Sequence, residues 1–89
     1  MLEKIKQSLR ITHDALDTEI EDLIDAALAD LLISGVKNQP TDDVLILRAV
    51  TIYCKANFGL ENNDSERYQA SYDSLKAHLS LCGDYNGNV

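Results

Sequence analysis

The stretch VLILRAVTIYCKANF, residues 44–58, decides the fold, because apolar side chains occupy most of its circumference when it is drawn as a helix. Only Arg48, Thr51 and Lys55 form a narrow polar strip along it. A helix with apolar side chains on nearly every side is typical of the centre of a domain. The sequence therefore predicts a central helix against which the other elements pack.

The segment before it predicts a second long helix that starts near Leu16 and has one apolar face. Asp14 or Asp17 is expected to cap its start, and Gly35 is expected to end it by adopting the left-handed backbone conformation. A turn at residues 38–40 follows, and the polar run at 41–43 is a start signal for the central helix.

The segment after residue 62 predicts a third long helix, which Asn63 or Asp64 can cap and Gly83 can end. Residues 2–9 have the spacing of a short N-terminal helix, and residues 84–89, DYNGNV, are expected to form a flexible tail.

The predicted fold is all-α: a small bundle of three main helices plus a short N-terminal helix. A chain of 89 residues has room for one core, so residues 1–89 are assigned to a single domain. The side chains predicted to form that core are Leu16, Ile20, Leu23, Ala27, Leu28, Leu31, Leu45, Ala49, Ile52, Tyr53, Tyr68, Tyr72, Leu75 and Leu79.

The charge of the chain is strongly negative and unevenly distributed. The formal net charge is −7, which argues against a protein that binds nucleic acid by neutralising phosphates. Seven carboxylates lie between Asp14 and Asp30, without the glycine and alternating oxygen ligands of a calcium loop. They are interpreted as a solvated helix face and not as a metal site. No signal peptide and no membrane span is predicted, so a soluble intracellular chain is expected.

No catalytic, cofactor or metal residue is predicted. Cys54 and Cys82 are interpreted as reduced thiols, and His13 and His78 belong to no metal or nucleophile motif. The tripeptide at residues 73–75, Asp-Ser-Leu, is typical of acyl-carrier proteins, but its serine would lie inside a helix and not at a helix N-terminus. Ser74 is therefore expected to be a solvent-facing residue.

A candidate subunit interface consists of two surfaces that the monomer does not need. On the acidic helix, a seam of mostly small residues lies within about 60° on the side opposite the core. The strip on the central helix is positively charged, so the acidic helix and the basic strip could meet between subunits or pair within one chain. Alternatively, the alanines of this seam serve no interface and are present only because alanine favours helix formation. The interface residues are Asp22, Ala26, Ala29, Ile33, Arg48, Thr51 and Lys55.

The order of these features resembles the small head-tail connector proteins of tailed bacteriophages, also described as head-completion or DNA-packaging proteins. The resemblance is carried by LRITHDALDTEIEDLIDAALADLLISGV at 9–36, then Pro40, then LILRAVTIYCKANFG at 45–59, then ERYQASYDSLKAHLSL at 66–81 and a closing DY. Where that family often has a basic residue near the end of the last helix, this chain has SLCGDY.

The resemblance implies a structural, non-enzymatic subunit of a ring of about a dozen copies that docks under the portal. The ring would continue the DNA channel to the tail during head completion, and DNA would pass through without specific binding. The implied partners are other copies of the chain, the portal protein and the next tail-proximal connector protein, with no cofactor and no membrane. The implied location is the head-tail junction of the virion, after synthesis in the host bacterial cytoplasm.

Two other functions stay open at this point. One is a small acidic regulator or inhibitor that binds a basic partner protein, and the other is an acyl-carrier-like protein that uses Ser74.

Overall fold

The computed structural model describes residues 1–58 and 63–87, and that part of the chain is helical without any strand. This confirms the predicted all-α class. The helices are α1 (Leu2–Leu9), α2 (Asp17–Ile33), α3 (Val44–Asn57), α4 (Ser65–Leu81) and α5 (Gly83–Asn86). Gly59, the predicted end of the central helix, lies outside the described residues.

The central position of α3 is confirmed, because α1, α2 and α4 all pack against it. Its start is set by Asp43, whose carboxylate accepts hydrogen bonds from the backbone N–H groups of Leu45 and Ile46 at 2.9 and 3.0 Å. Such a bond satisfies donors that have no partner inside the helix. The polar run at 41–43 thus acts as the predicted start signal.

The start of α2 differs from the prediction. Leu16 occupies the N-cap position and no side chain caps the helix. Asp14 and Asp17 instead form ion pairs with the Lys6 ammonium group at 2.9 and 2.8 Å, and these bonds raise the pKa of Lys6. The reason is tertiary: Lys6 is buried in the fold, and a buried cation requires charged partners. The short N-terminal helix is therefore joined to α2 by charge.

The end of α2 follows the prediction, since Gly35 has a φ of 104°, which suits glycine. The core lies between α3 and its neighbours and also includes Ile5 and Val36, which the sequence analysis did not single out. Of the predicted core residues, those that are buried are Ile20, Ala27, Leu31, Ala49, Ile52, Tyr72 and Leu79. Those that pack partly buried against them are Leu16, Leu23, Leu28, Tyr53, Tyr68 and Leu75.

Leu45 is the exception among the predicted core residues, because it is 43% exposed. It lies in the first turn of α3, next to Val44, which is 76% exposed. The apolar composition of α3 predicted that the helix is buried on every side. In its first turn, however, the rest of the chain covers Ile46 and leaves Val44 and Leu45 exposed. Leu45 is therefore a surface residue, and its assignment to the core is corrected.

The first part of the expected flexible tail, residues 84–86, lies in a short helix, α5. Helix α4 ends at Leu81, and Gly83 begins α5 where the sequence analysis expected a stop. The Tyr85 hydroxyl donates to both carboxylate oxygens of Asp43 at 3.0 Å, and the Asn38 backbone N–H donates to the Tyr85 carbonyl at 2.9 Å. Half-buried Tyr85 packs against the core, which ties this segment down. Residues 88–89 lie outside the described residues.

A buried tyrosine joins α4 to α2. The Tyr72 side chain is fully buried, and its hydroxyl donates to an Asp30 carboxylate oxygen at 2.6 Å. The Lys76 ammonium donates to the same oxygen at 3.1 Å. The Tyr72 hydrogen bond, reinforced by Lys76, holds the pKa of Asp30 below its usual value. One carboxylate of the acidic helix is thus part of the fold.

We expect Asp30→Asn to lower the free energy of unfolding by about 1 kcal/mol at pH 7, because a half-exposed ion pair and hydrogen bond are lost. The lowered pKa of Asp30 means that its contribution is complete above the ordinary aspartate pKa of about 3.9 and is lost as the pH falls below it. The difference in free energy of unfolding between wild type and variant should therefore disappear in acid. Urea denaturation at pH 7 and at lower pH measures it, with Asp25→Asn as the exposed control. A gap that stays constant in acid would contradict this assignment.

We expect Tyr85→Phe to loosen α5, since it removes the hydroxyl that bonds Asp43. The Asn38 amide, which bonds the Tyr85 carbonyl, should then exchange with solvent about threefold to tenfold faster. Hydrogen exchange followed by NMR measures this rate. Tyr53→Phe is the control, because that hydroxyl makes no hydrogen bond within residues 1–58 and 63–87. An unprotected Asn38 amide in the wild type would show that α5 is not held.

Candidate interaction surface

The structure shows where the cysteine, histidine and serine residues considered in the sequence analysis lie. No group of three or more His, Cys, Asp or Glu side chains that could hold a metal occurs among them. Burial raises the pKa of the Cys54 thiol to about 12, and Cys82 is also a free thiol. His13, His78 and Ser74 are exposed, and Ser74 lies in the middle of α4, away from the helix N-terminus where an attachment serine is expected.

The acidic cluster divides into two groups with different roles. Asp14 and Asp17 pair with Lys6, and Asp30 bonds Tyr72 and Lys76, so these carboxylates hold the fold together. The other carboxylates of α2 are exposed and form no salt bridge within the described part of the chain; they are Glu19, Glu21, Asp22 and Asp25. They leave an outer face of α2 with unneutralised negative charge.

The seam predicted on α2 faces solvent. Asp22, Ala26 and Ala29 are exposed, and Ile33 at the end of the helix is 85% exposed. An isoleucine this exposed adds nothing to the core of the monomer. The seam therefore lies on the side of α2 that the sequence analysis assigned to it, and its use as an interface stays a prediction.

The three residues of the basic strip predicted on α3 do not form a continuous exposed surface. The prediction that they form one side of an interface is corrected in this respect. Thr51 is only 6% exposed, and its hydroxyl donates to the Leu47 carbonyl at 2.7 Å, so it can be buried at little cost. Lys55 is half-buried, with its ammonium 5.7 Å from the centre of the Tyr68 ring. Arg48 is exposed and forms no salt bridge with any residue that the structure describes, so it does not pair with α2 within the chain.

Within residues 1–58 and 63–87, the exposed large apolar side chains collect at one end of the bundle. They lie in the last turn of α2, the first turn of α3 and the last turn of α4, and they are Leu32, Ile33, Val44, Leu45 and Leu81. These three helix ends are neighbours: Tyr85 after α4 bonds Asp43 before α3, and Gly35 after α2 lies against Ser80. We call this surface the apolar end. Sequence reasoning found only Ile33, because periodicity does not show which helix ends are left uncovered.

A groove of about 220 Å³ lies beside the apolar end, between α1 and the first half of α3. It is lined by Ser8, Val44, Leu47, Arg48 and Thr51. Val44 belongs to both surfaces, so the groove and the apolar end are continuous. We call it the α1–α3 groove. Its lining is mixed: Val44 and Leu47 are apolar, and the other three residues provide two hydroxyl groups and one guanidinium group.

We expect Ile33→Ser to change the free energy of unfolding by less than about 0.5 kcal/mol, as for most surface substitutions. Leu31→Ala, two residues earlier and fully buried, should cost about 2–5 kcal/mol because it leaves a cavity. Urea denaturation of the monomer compares the two variants. A large loss of stability in Ile33→Ser would show that Ile33 serves the fold and not an interaction.

Within residues 1–58 and 63–87, no helix combines the length and apolar character needed to cross a bilayer. A family model described as phage connector protein matches residues 1–86, which confirms the resemblance found in the sequence. Comparison with curated proteins gives no match, and comparison with solved structures gives none either. Because the match spans all five helices, the chain belongs to the phage connector protein family.

Proposed function

We propose that this chain is the subunit of a connector ring that docks under the portal of a phage head and continues the DNA channel to the tail. The observation that carries the proposal is the family match over residues 1–86. Membership of this family makes the chain a structural phage protein, associated with the virion and with other head and tail proteins. The ring, its size of about a dozen copies and its place at the head-tail junction are part of the proposal.

The apolar end supports association with other proteins. A small soluble monomer seldom leaves several large apolar side chains together at its surface, and such a patch is typical of an interaction site. Here Ile33 and Leu81 are more than 80% exposed, at 85% and 83%. The portal protein, the next tail-proximal connector protein and other copies of the chain are the proposed partners.

The unpaired carboxylates of α2 support a passive role towards DNA. Each copy has a formal net charge of −7, so a ring of about a dozen copies would be strongly negative. If the outer face of α2 lines the channel, its charge repels the phosphates and keeps the duplex mobile. Low affinity for DNA is then part of the function.

A second candidate function is a small acidic inhibitor of a basic partner protein, and the same four carboxylates favour it: Glu19, Glu21, Asp22 and Asp25. The acyl-carrier alternative has less support, because Ser74 lies in the middle of α4. Incubation with coenzyme A and a phosphopantetheinyl transferase tests that alternative directly, through a gain in mass on Ser74.

We expect rings of about a dozen copies when the chain is mixed with the portal protein of its own phage. Native mass spectrometry measures the copy number, and electron microscopy places the ring on the tail side of the portal. The portal alone and the chain alone are the controls. A chain that stays monomeric at high concentration, with and without the portal, would contradict the proposal, and capture of one basic non-structural protein would favour the inhibitor.

A further inference from the structure

We propose that Asn86 is a site of spontaneous deamidation, which the docking of α5 slows and which releases α5 once it has occurred. In the sequence, Asn86 is the only asparagine that is followed by glycine. The inference does not depend on the proposed ring, because it concerns the chemistry of one side chain in the isolated chain. Water is the only co-reactant.

The reaction joins two groups that are neighbours in the chain. The Gly87 backbone nitrogen loses its proton to hydroxide and attacks the side-chain carbonyl carbon of Asn86, Cγ. The bond from Cγ to Nδ2 breaks, and ammonia leaves after taking a proton from water, so a cyclic succinimide forms. Water then opens the ring at either carbonyl, which gives aspartate or isoaspartate. Glycine makes this attack easiest, because it has no side chain to shield its nitrogen.

The folded chain holds Asn86 away from the geometry of that reaction. Asn86 is the last residue of α5, and its backbone N–H donates to the Cys82 carbonyl at 2.9 Å. Its side-chain Nδ2 donates to the Ser80 carbonyl of α4 at 3.3 Å. Ring closure requires that the side chain and the backbone of Asn86 both rotate out of these positions. The reaction therefore proceeds from a state in which α5 has opened.

A few hydrogen bonds to the rest of the chain set how often α5 opens. The Tyr85 hydroxyl donates to Asp43 at 3.0 Å, and the Asn38 backbone N–H donates to the Tyr85 carbonyl at 2.9 Å. The Asn38 side-chain amide also donates to the Asp84 carbonyl at 2.9 Å. A helix of four residues is not stable by itself, so these bonds keep α5 in place. Weakening them should expose Asn86 to the reaction.

The products do not restore the original contact. A carboxylate at residue 86 has no N–H to donate, and its charge lies beside the Ser80 carbonyl oxygen at the negative end of α4. Lys37, which lies next to Gly87, is exposed, so an ion pair with it contributes little. Isoaspartate also adds a carbon to the backbone, which displaces Gly87 from its turn. Conversion is therefore irreversible and leaves α5 less firmly docked.

Mass spectrometry of the peptide that contains Asn86 tests the site, after incubation of the whole chain at mildly alkaline pH. In urea, where the fold has no influence, Asn86 should convert faster than the other asparagines, and Gly87→Ala should slow it severalfold. This variant is compared in urea because alanine is strained at the φ of 81° that Gly87 adopts in the folded chain. An Asn86 that converts no faster than Asn57 in urea would overturn the site.

Tyr85→Phe tests the control by docking. The wild type should convert more slowly when folded than in urea, and folded Tyr85→Phe should convert about threefold to tenfold faster than folded wild type. The Asn38 amide should exchange faster by the same factor, because both processes require α5 to open. In urea the two chains should convert equally, which controls for any effect of Tyr85 on the chemistry. Equal rates in the two folded chains, or a folded wild type as fast as in urea, would overturn the control by docking.

Asn86→Asp tests the release, since it places the carboxylate of one product in the chain from the start. The Asn38 amide should exchange about threefold to tenfold faster than in the wild type. Asn86→Ala removes the same donor without adding charge and should have a smaller effect. Hydrogen exchange followed by NMR measures all three chains. An Asn38 amide that exchanges as slowly in Asn86→Asp as in the wild type would overturn the release of α5.

Discussion

The burial of α3 is the constraint on which the rest of the structure depends. Its apolar circumference must be kept from water on several sides, and α1, α2 and α4 each cover one of them. Because the covering helices come from both ends of the chain, they also have to be held to one another. Lys6 holds α1 to the start of α2, and the Tyr72 hydroxyl holds α4 to Asp30 near the end of α2. Asp43 both caps α3 and receives Tyr85, so the start of the central helix is joined to α5.

The same constraint explains how the charge of the chain is used. Carboxylates that lie where the helices meet acquire partners, and the pKa values of Asp14, Asp30 and Asp43 are lowered by the hydrogen bonds they accept. The carboxylates on the outer face of α2 meet no other helix and keep their charge available. Composition alone shows an acidic chain, whereas the structure separates the charge that stabilises the fold from the charge that a partner or DNA would encounter.

The surface that we assign to assembly is a consequence of how helices end. A bundle covers the middle of its helices well, but the last turns of α2 and α4 and the first turn of α3 extend to one end where no other described element lies over them. Apolar residues at those positions, such as Ile33 and Leu81, stay exposed unless another molecule covers them. For a member of the phage connector family, which works among other head and tail proteins, such an end is a natural contact surface.

The sequence by itself determined the all-α class, the central position of α3, the exposure of Ser74 and Ile33, and the family, because helical periodicity and the order of motifs are local properties of the chain. Only the tertiary structure decided that Asp14 and Asp17 bind Lys6 instead of capping α2, that Thr51 is buried, that Leu45 is exposed, and that α5 is held by Asp43. Periodicity shows which side chains share a face, but not which neighbour covers that face or whether any does. Tyr72 with Asp30 and Tyr85 with Asp43 are each separated by 42 residues, so only the folded chain brings them within hydrogen-bonding distance.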